Sequence, residues 1–201
     1  MRIPAETRRD HGPTMTRAYL QSAAFAAVQA MLVIGLAPLT PHLAGWFPPA
    51  YALVAGLHTL LIFTSRRFTG LRGGATLTAA LTAVVCGPFT AIGWLIAAPL
   101  LLAGLLFDGV LAVSANRGWG ERIDIVLSGA VVGTGLFVVS LPVMSLPHLG
   151  PVIVAATLAA RIIASAGGAL LSARLVRRLE RIGVRRAVAA ARPAGTTGEV
   201  V

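Results

Sequence analysis

Residues 152–175 read VIVAATLAARIIASAGGALLSARL, an apolar run that carries Arg161 well inside it and Arg174 at its end. As a helix this run covers roughly 35 Å, against a bilayer hydrocarbon core of about 30 Å. Arg161 then lies roughly 15 Å from the Pro151 end, close to mid-depth. A charge there costs at least ~2.5–3.5 kcal/mol on insertion scales, so the guanidinium has to face protein or a water-filled cavity. This one residue turns a hydropathy pattern into a bundle with a polar centre.

The whole chain fits a lipid solvent. Of its 201 residues 56% are hydrophobic and 12% charged, whereas a soluble domain carries about 25% charged residues. All 17 basic residues are arginine and the net charge is +10. Such a charge points to nucleic acid only when it shares one soluble face. Here the arginines fall between apolar segments, so they read as topology signals and no nucleic-acid partner is expected. Cys86, the single cysteine, leaves no intrachain disulfide and no cysteine metal cluster. No short apolar region with a small-residue cleavage site follows the polar start, so the first apolar segment is expected to be retained.

Residues 1–17 are polar and read as a mobile cytoplasmic head. Six spans follow: about Ala18–Ala37, Ala50–Phe63, Ala75–Cys86, Trp94–Val113, Ile125–Leu141, and the Arg161 segment continuing into RLVRRLERIGVRR. The second and third are short, and folding them back as a re-entrant hairpin would bury Arg66, Arg67 and Arg72 at its tip, at a cost on the order of 8–10 kcal/mol. Two short spans are the better solution. Arginines occupy the N-terminus, the loops after the second and fourth spans, and the C-terminus, while the loops after the first, third and fifth spans have none. By the positive-inside rule this alternation makes an all-α integral membrane bundle of six transmembrane helices, with both termini cytoplasmic. The membrane domain is expected over residues 18–190 and a disordered tail over residues 191–201.

The chemistry-bearing residues are few. No P-loop, no HExxH, no GxSxG and no metal-spaced set of His, Asp and Glu occurs, so neither an enzyme nor a metal or cofactor site is expected. Arg161 either contacts the acceptor edge of a bound solute or forms a structural ion pair with Asp108, whose depth differs from it by about 6 Å. Asp108 can equally be solvated at the interface. His58 is either a packing residue with a hydrogen bond or a ligand contact. Trp46, Phe47, Tyr51, Phe89 and Trp94 gather at the arginine-free boundary, as an aromatic belt or as a wall for a flat ligand. Gly129-x-x-x-Gly133 implies close helix contact. Ala23/Ala27 and Ala26/Ala30 are small residues four apart that would let another helix approach. Arg174, Arg177, Arg178, Arg181 and Arg185 share one helical face, for which anionic lipid headgroups are the default partner and a soluble subunit the alternative.

Several of these features together resemble the substrate-binding S components of energy-coupling factor (ECF) transporters. They are six spans, an alanine-rich first helix and a Pro- and aromatic-rich loop after it (PLTPHLAGWFPP). Arg161-Ile162-Ile163-Ala164 and Arg72-Gly73-Gly74-Ala75 are similar to short runs of the thiamin/hydroxymethylpyrimidine branch, and the likeness spans residues 18–180. The resemblance implies a bacterial plasma-membrane subunit that binds a vitamin or its precursor, a small heterocycle, from outside and has no ATPase activity. Arg161, His58, Trp46, Tyr51 and Trp94 are the expected solute contacts, and residues 38–49 the gate. The implied partners are a transmembrane coupling subunit, met through Ala23, Ala26, Ala27 and Ala30, and two cytoplasmic ATPases. The third span, ATLTAALTAVV, lacks the carboxylates of that branch, so a cationic thiazolium is a poor match and Arg161 favours a neutral or partly anionic ligand. The other readings are a stand-alone secondary transporter and a non-transporting membrane scaffold in which Asp108 would fully pair Arg161.

Overall fold

A computed structural model describes residues 15–90, 92–142 and 150–184; residues 1–14 of the expected head, most of the Pro142–Pro151 loop, Arg185 and the 191–201 tail lie outside it. The described residues form an all-helical bundle of α1 (Met15–Leu36), α2 (Leu39–Trp46), α3 (Pro48–Thr69), α4 (Gly74–Cys86), α5 (Ala97–Arg117), α6 (Glu121–Ser140) and α7 (Pro151–Arg181). Short 3-10 turns at Gly87–Phe89 and Gly93–Ile96 join α4 to α5. Five segments, ending in or comprising α1, α3, α5, α6 and α7, are long and apolar enough to cross a membrane, and Gly74–Phe89 is a shorter apolar helix.

Two departures from expectation have local causes. The eight-residue α2 occupies the proline- and aromatic-rich loop after the first expected span. Its Pro41 lies in the first turn, where a missing N–H costs no helical hydrogen bond, and Pro48 and Pro49 likewise open α3. α3 also runs past Phe63 to Thr69. Thr64 and Thr69 return their hydroxyls to the Leu60 and Ser65 carbonyls, and Gly70 at φ 67° closes the helix in a left-handed cap.

Contacts fix the helix directions. Ser65 donates to Ser22, and Gln29 meets Leu57 and Leu61, so α1 and α3 are antiparallel. The Thr82 hydroxyl donates to the Ala26 carbonyl and the Cys86 thiol to the Ala30 carbonyl, which makes α1 and α4 parallel. Gly104 faces Thr76 while Gly87 faces Trp94, Ser114 bonds Asp124 while Gly135 faces Leu106, and Gly133 faces Ile162 while Gly129 faces Ala166, which makes α4/α5, α5/α6 and α6/α7 antiparallel. α3 and α7 run parallel, with Gly56 against Ala164 and Phe63 against Gly168. One end of the bundle therefore carries Arg17, Arg66, Arg67, Arg72, Arg117, Arg122 and the α7 arginines from Arg174 onward. The other carries Trp46, Phe47, Phe89 and Trp94.

Packing is inverted relative to a soluble protein. Large apolar side chains such as Leu20, Met31, Leu95 and Val126 face outward. The interior is rich in Ala, Gly, Ser and Thr, which let backbones approach closely. A Cβ on Gly133 would sit 2.6 Å from the Ile162 Cα, and one on Gly129 2.5 Å from the Ala166 Cβ, so the Gly129-x-x-x-Gly133 pattern is the α6–α7 contact. Phe63 and Phe107 stack at 4.0 Å between α3 and α5.

Candidate functional site

The α3–α7 contact builds the site. Gly56 lets the Ala164 turn approach until an added Cβ would be 2.6 Å away, and this sets the two helices' facing residues edge to edge. Tyr51 and His58, seven apart, fall on the same face of α3. Helical side chains lean toward their helix N-terminus, so Arg161 reaches back along α7 to Tyr51. Its Cζ lies 5.0 Å from the Tyr51 ring centroid. The side chain is buried, with the residue 6% exposed. Its Nε has no hydrogen-bond partner, and neither ion pair found among the described residues involves it. His58 lies within electrostatic reach of Arg161, and its Nε2 is also buried without a partner.

Magnitudes decide what this arrangement means. A desolvated cation–π contact is worth ≈ 2 kcal/mol. Removing a guanidinium from water costs several kcal/mol even after relaxation. The tyrosine ring alone does not balance the burial of Arg161. An anionic or strongly accepting group placed between Arg161 and His58, with a planar face on Tyr51, would. His58 can donate to such a group or accept from it according to its tautomer.

The other expected contacts are not gathered here. Trp46 is 93% exposed at the end of α2. Trp94 lies over Gly87, where a Cβ would come within 2.8 Å of its ring. Among the described residues, no cation–π contact joins either indole to Arg161.

The expected Asp108–Arg161 pair is not formed. Asp108 sits against Arg66, with Nε to Oδ1 at 2.8 Å, as an ion pair without hydrogen-bond alignment. It also accepts from the Thr76 amide and hydroxyl, both 2.8 Å from Oδ2, and from the Ala75 amide at 3.4 Å. Asp108 thus caps α4 from a neighbouring helix, because the local cap position is Gly73 at φ 79°, which has no side chain to offer. The physical reason for the miss is lateral. Depth along the membrane suited Arg161, but α5 packs on α3, α4 and α6 while α7 packs on α3 and α6.

The alanine face of α1 also divides. Ala26 and Ala30 are buried, with their carbonyls receiving Thr82 and Cys86 of α4, so they do not present to a second subunit. Ala23 and Ala27 face outward. Sequence reading missed the Ser22–Ser65–Thr78 hydroxyl chain, with links of 3.3 and 2.7 Å. It also missed Gln29, which donates to the Leu57 carbonyl and accepts from the Leu61 amide. The available signal was polar residues on helix faces inside apolar segments. Among the described residues no group of three His, Cys, Asp or Glu is arranged to hold a metal.

No family model matches the chain, and none of the curated proteins compared matches it. A solved structure described as "Crystal structure of an S-component of ECF transporter" is similar in fold, with a TM-score of 0.69 and 20% sequence identity over 85% of this chain and 85% of that one. The likeness extends to the arrangement of the helices across nearly the whole bundle.

Proposed function

We propose that the chain is a membrane-embedded solute-binding subunit of the ECF S-component type. It takes a small planar heterocycle with an anionic or hydrogen-bond-accepting edge at Tyr51, His58 and Arg161. The arginine-rich end is cytoplasmic and the Trp46/Trp94 end faces outside, in the plasma membrane of a bacterium. α1, α3, α4, α5, α6 and α7 are the six spans, α4 being the short one, and both termini are cytoplasmic. Solute enters from the outer end past α2, which belongs to the 38–49 gate. Energy comes from separate ATPases acting through a transmembrane coupling subunit, which docks where Ala23 and Ala27 leave α1 open. The chain itself carries out no catalysis.

The observation that carries this reading is the buried Arg161, which faces an aromatic ring and, among the described residues, forms no ion pair with a carboxylate. The fold likeness agrees with it. The scaffold alternative required Asp108 to neutralise Arg161, and Asp108 is committed to Arg66 and α4. The cation at the site also disfavours thiamin, whose thiazolium is positive; a hydroxymethylpyrimidine-like or carboxylated heterocycle suits it better.

Mass spectrometry of small molecules that co-purify with the protein in detergent tests the reading. A heterocycle bound to the wild type and lost from Arg161→Ala supports it. A wild-type protein with no bound heterocycle, or one retained unchanged by Arg161→Ala, overturns it.

A further inference from the structure

A second cationic site lies toward the arginine-rich end of the bundle, nine residues beyond His58 along α3. Arg67 lines a cleft with Glu121, Ala173, Val176 and Arg177, between α3, α6 and α7. The charges around it are Asp124, Glu121, Arg177 and Arg66. All four of these are already engaged. Arg66 is held by Asp108, Asp124 bonds the Ser114 hydroxyl, and Glu121 holds Arg177 at 2.6 Å. Among the described residues Arg67 forms no ion pair. Its guanidinium lies over the Phe107 ring at 5.6 Å, and its Nε and Nη2 are buried without a hydrogen bond.

We infer that this cleft binds the phosphate of an anionic lipid headgroup, held by Arg67 and Arg177. Three features select that source. The site lies at the arginine-rich end, where the basic residues of α1, α3, the α5–α6 turn and α7 outnumber Asp108, Glu121, Asp124 and Glu180. That excess draws anionic headgroups to the bundle's rim. The cleft wall is partly apolar, through Ala173 and Val176. The Nε and Nη2 of Arg67, left without a hydrogen bond, form a fork edge suited to phosphate oxygens once the guanidinium turns from Phe107 into the cleft. Glu121 is half-exposed and can leave Arg177 for water when the phosphate arrives, so it tunes affinity against the anion. The inference depends on this end lying at a lipid–water boundary and is independent of the solute at Arg161.

The test is native mass spectrometry of the purified full chain with dioleoyl-phosphatidylglycerol or dioleoyl-phosphatidylcholine, with inorganic phosphate as competitor. Phosphatidylglycerol is expected to be retained in preference to phosphatidylcholine. Arg67→Gln should weaken retention about fivefold, the worth of one arginine at the surface. Arg174→Gln, at an exposed arginine outside the cleft, should weaken it less. Glu121→Gln should strengthen it, a gain that a misfolded variant would not give. Equal losses for Arg67→Gln and Arg174→Gln, no gain for Glu121→Gln, or full displacement by millimolar inorganic phosphate would each overturn the assignment.

Discussion

Replacing Asp108 with alanine should be the most damaging single change to a charged residue in the bundle. The Arg66 and Asp108 side chains are 13% and 12% exposed, so their pair is largely desolvated. Removing one partner of a buried pair costs about 3–5 kcal/mol, and the small residual exposure puts this case near 3. Asp108 also receives the Ala75 and Thr76 amides, the orphan donors at the start of α4. Loss of a helix cap adds about 1 kcal/mol, giving about 4 kcal/mol in all. Asp108→Asn keeps an acceptor for Thr76 while losing the charge, so it should cost about half as much. The assay is reversible unfolding in mixed micelles titrated with dodecyl sulfate. Combining Asp108→Asn with Arg66→Gln should show strong coupling. Combining it with Arg161→Ala should be additive within about 0.5 kcal/mol, as for sites without shared partners. A loss for Asp108→Ala under about 1 kcal/mol, the worth of an exposed pair, would refute the reasoning.

Two further changes probe packing. Gly133→Ala places a Cβ 2.6 Å from the Ile162 Cα and should cost about 1–3 kcal/mol, whereas Gly109→Ala meets nothing within 4 Å and should stabilise by up to ~1 kcal/mol through helix propensity. Both are read in the same unfolding titration. Gln29→Leu should cost only about 1 kcal/mol, because the Leu57 carbonyl and Leu61 amide it contacts keep each other as an i→i−4 pair of α3.

Particular residues show how far the amino-acid sequence reaches. The alternation of arginine-bearing and arginine-free turns anticipated helix directions that the Ser22–Ser65, Gly104–Thr76 and Gly133–Ile162 contacts bear out. Those signals are local, since each turn's charge can be read without its neighbours. Arg161 was legible as a buried cation for the same reason. Its ring partner Tyr51 was among the candidates but not distinguished from Trp46 and Trp94, because only the α3–α7 register decides which aromatic the guanidinium reaches. The Arg66–Asp108 pair was illegible because depth along a span says nothing of which helices are neighbours. The cut through the α1 alanines failed likewise. Four small residues over eight positions wrap across two faces, and only packing on α4 shows which of them are inside.

The central claim is that Arg161 is kept buried for a solute and not for the fold. Arg161→Met, with a similar stem and no charge, separates the two roles when unfolding is measured on protein stripped of small molecules. If the guanidinium waits for a ligand, the empty variant should be as stable as the wild type or more so, since a costly desolvated charge has gone. A loss of several kcal/mol in the ligand-free protein would instead make Arg161 a structural residue and contradict the account.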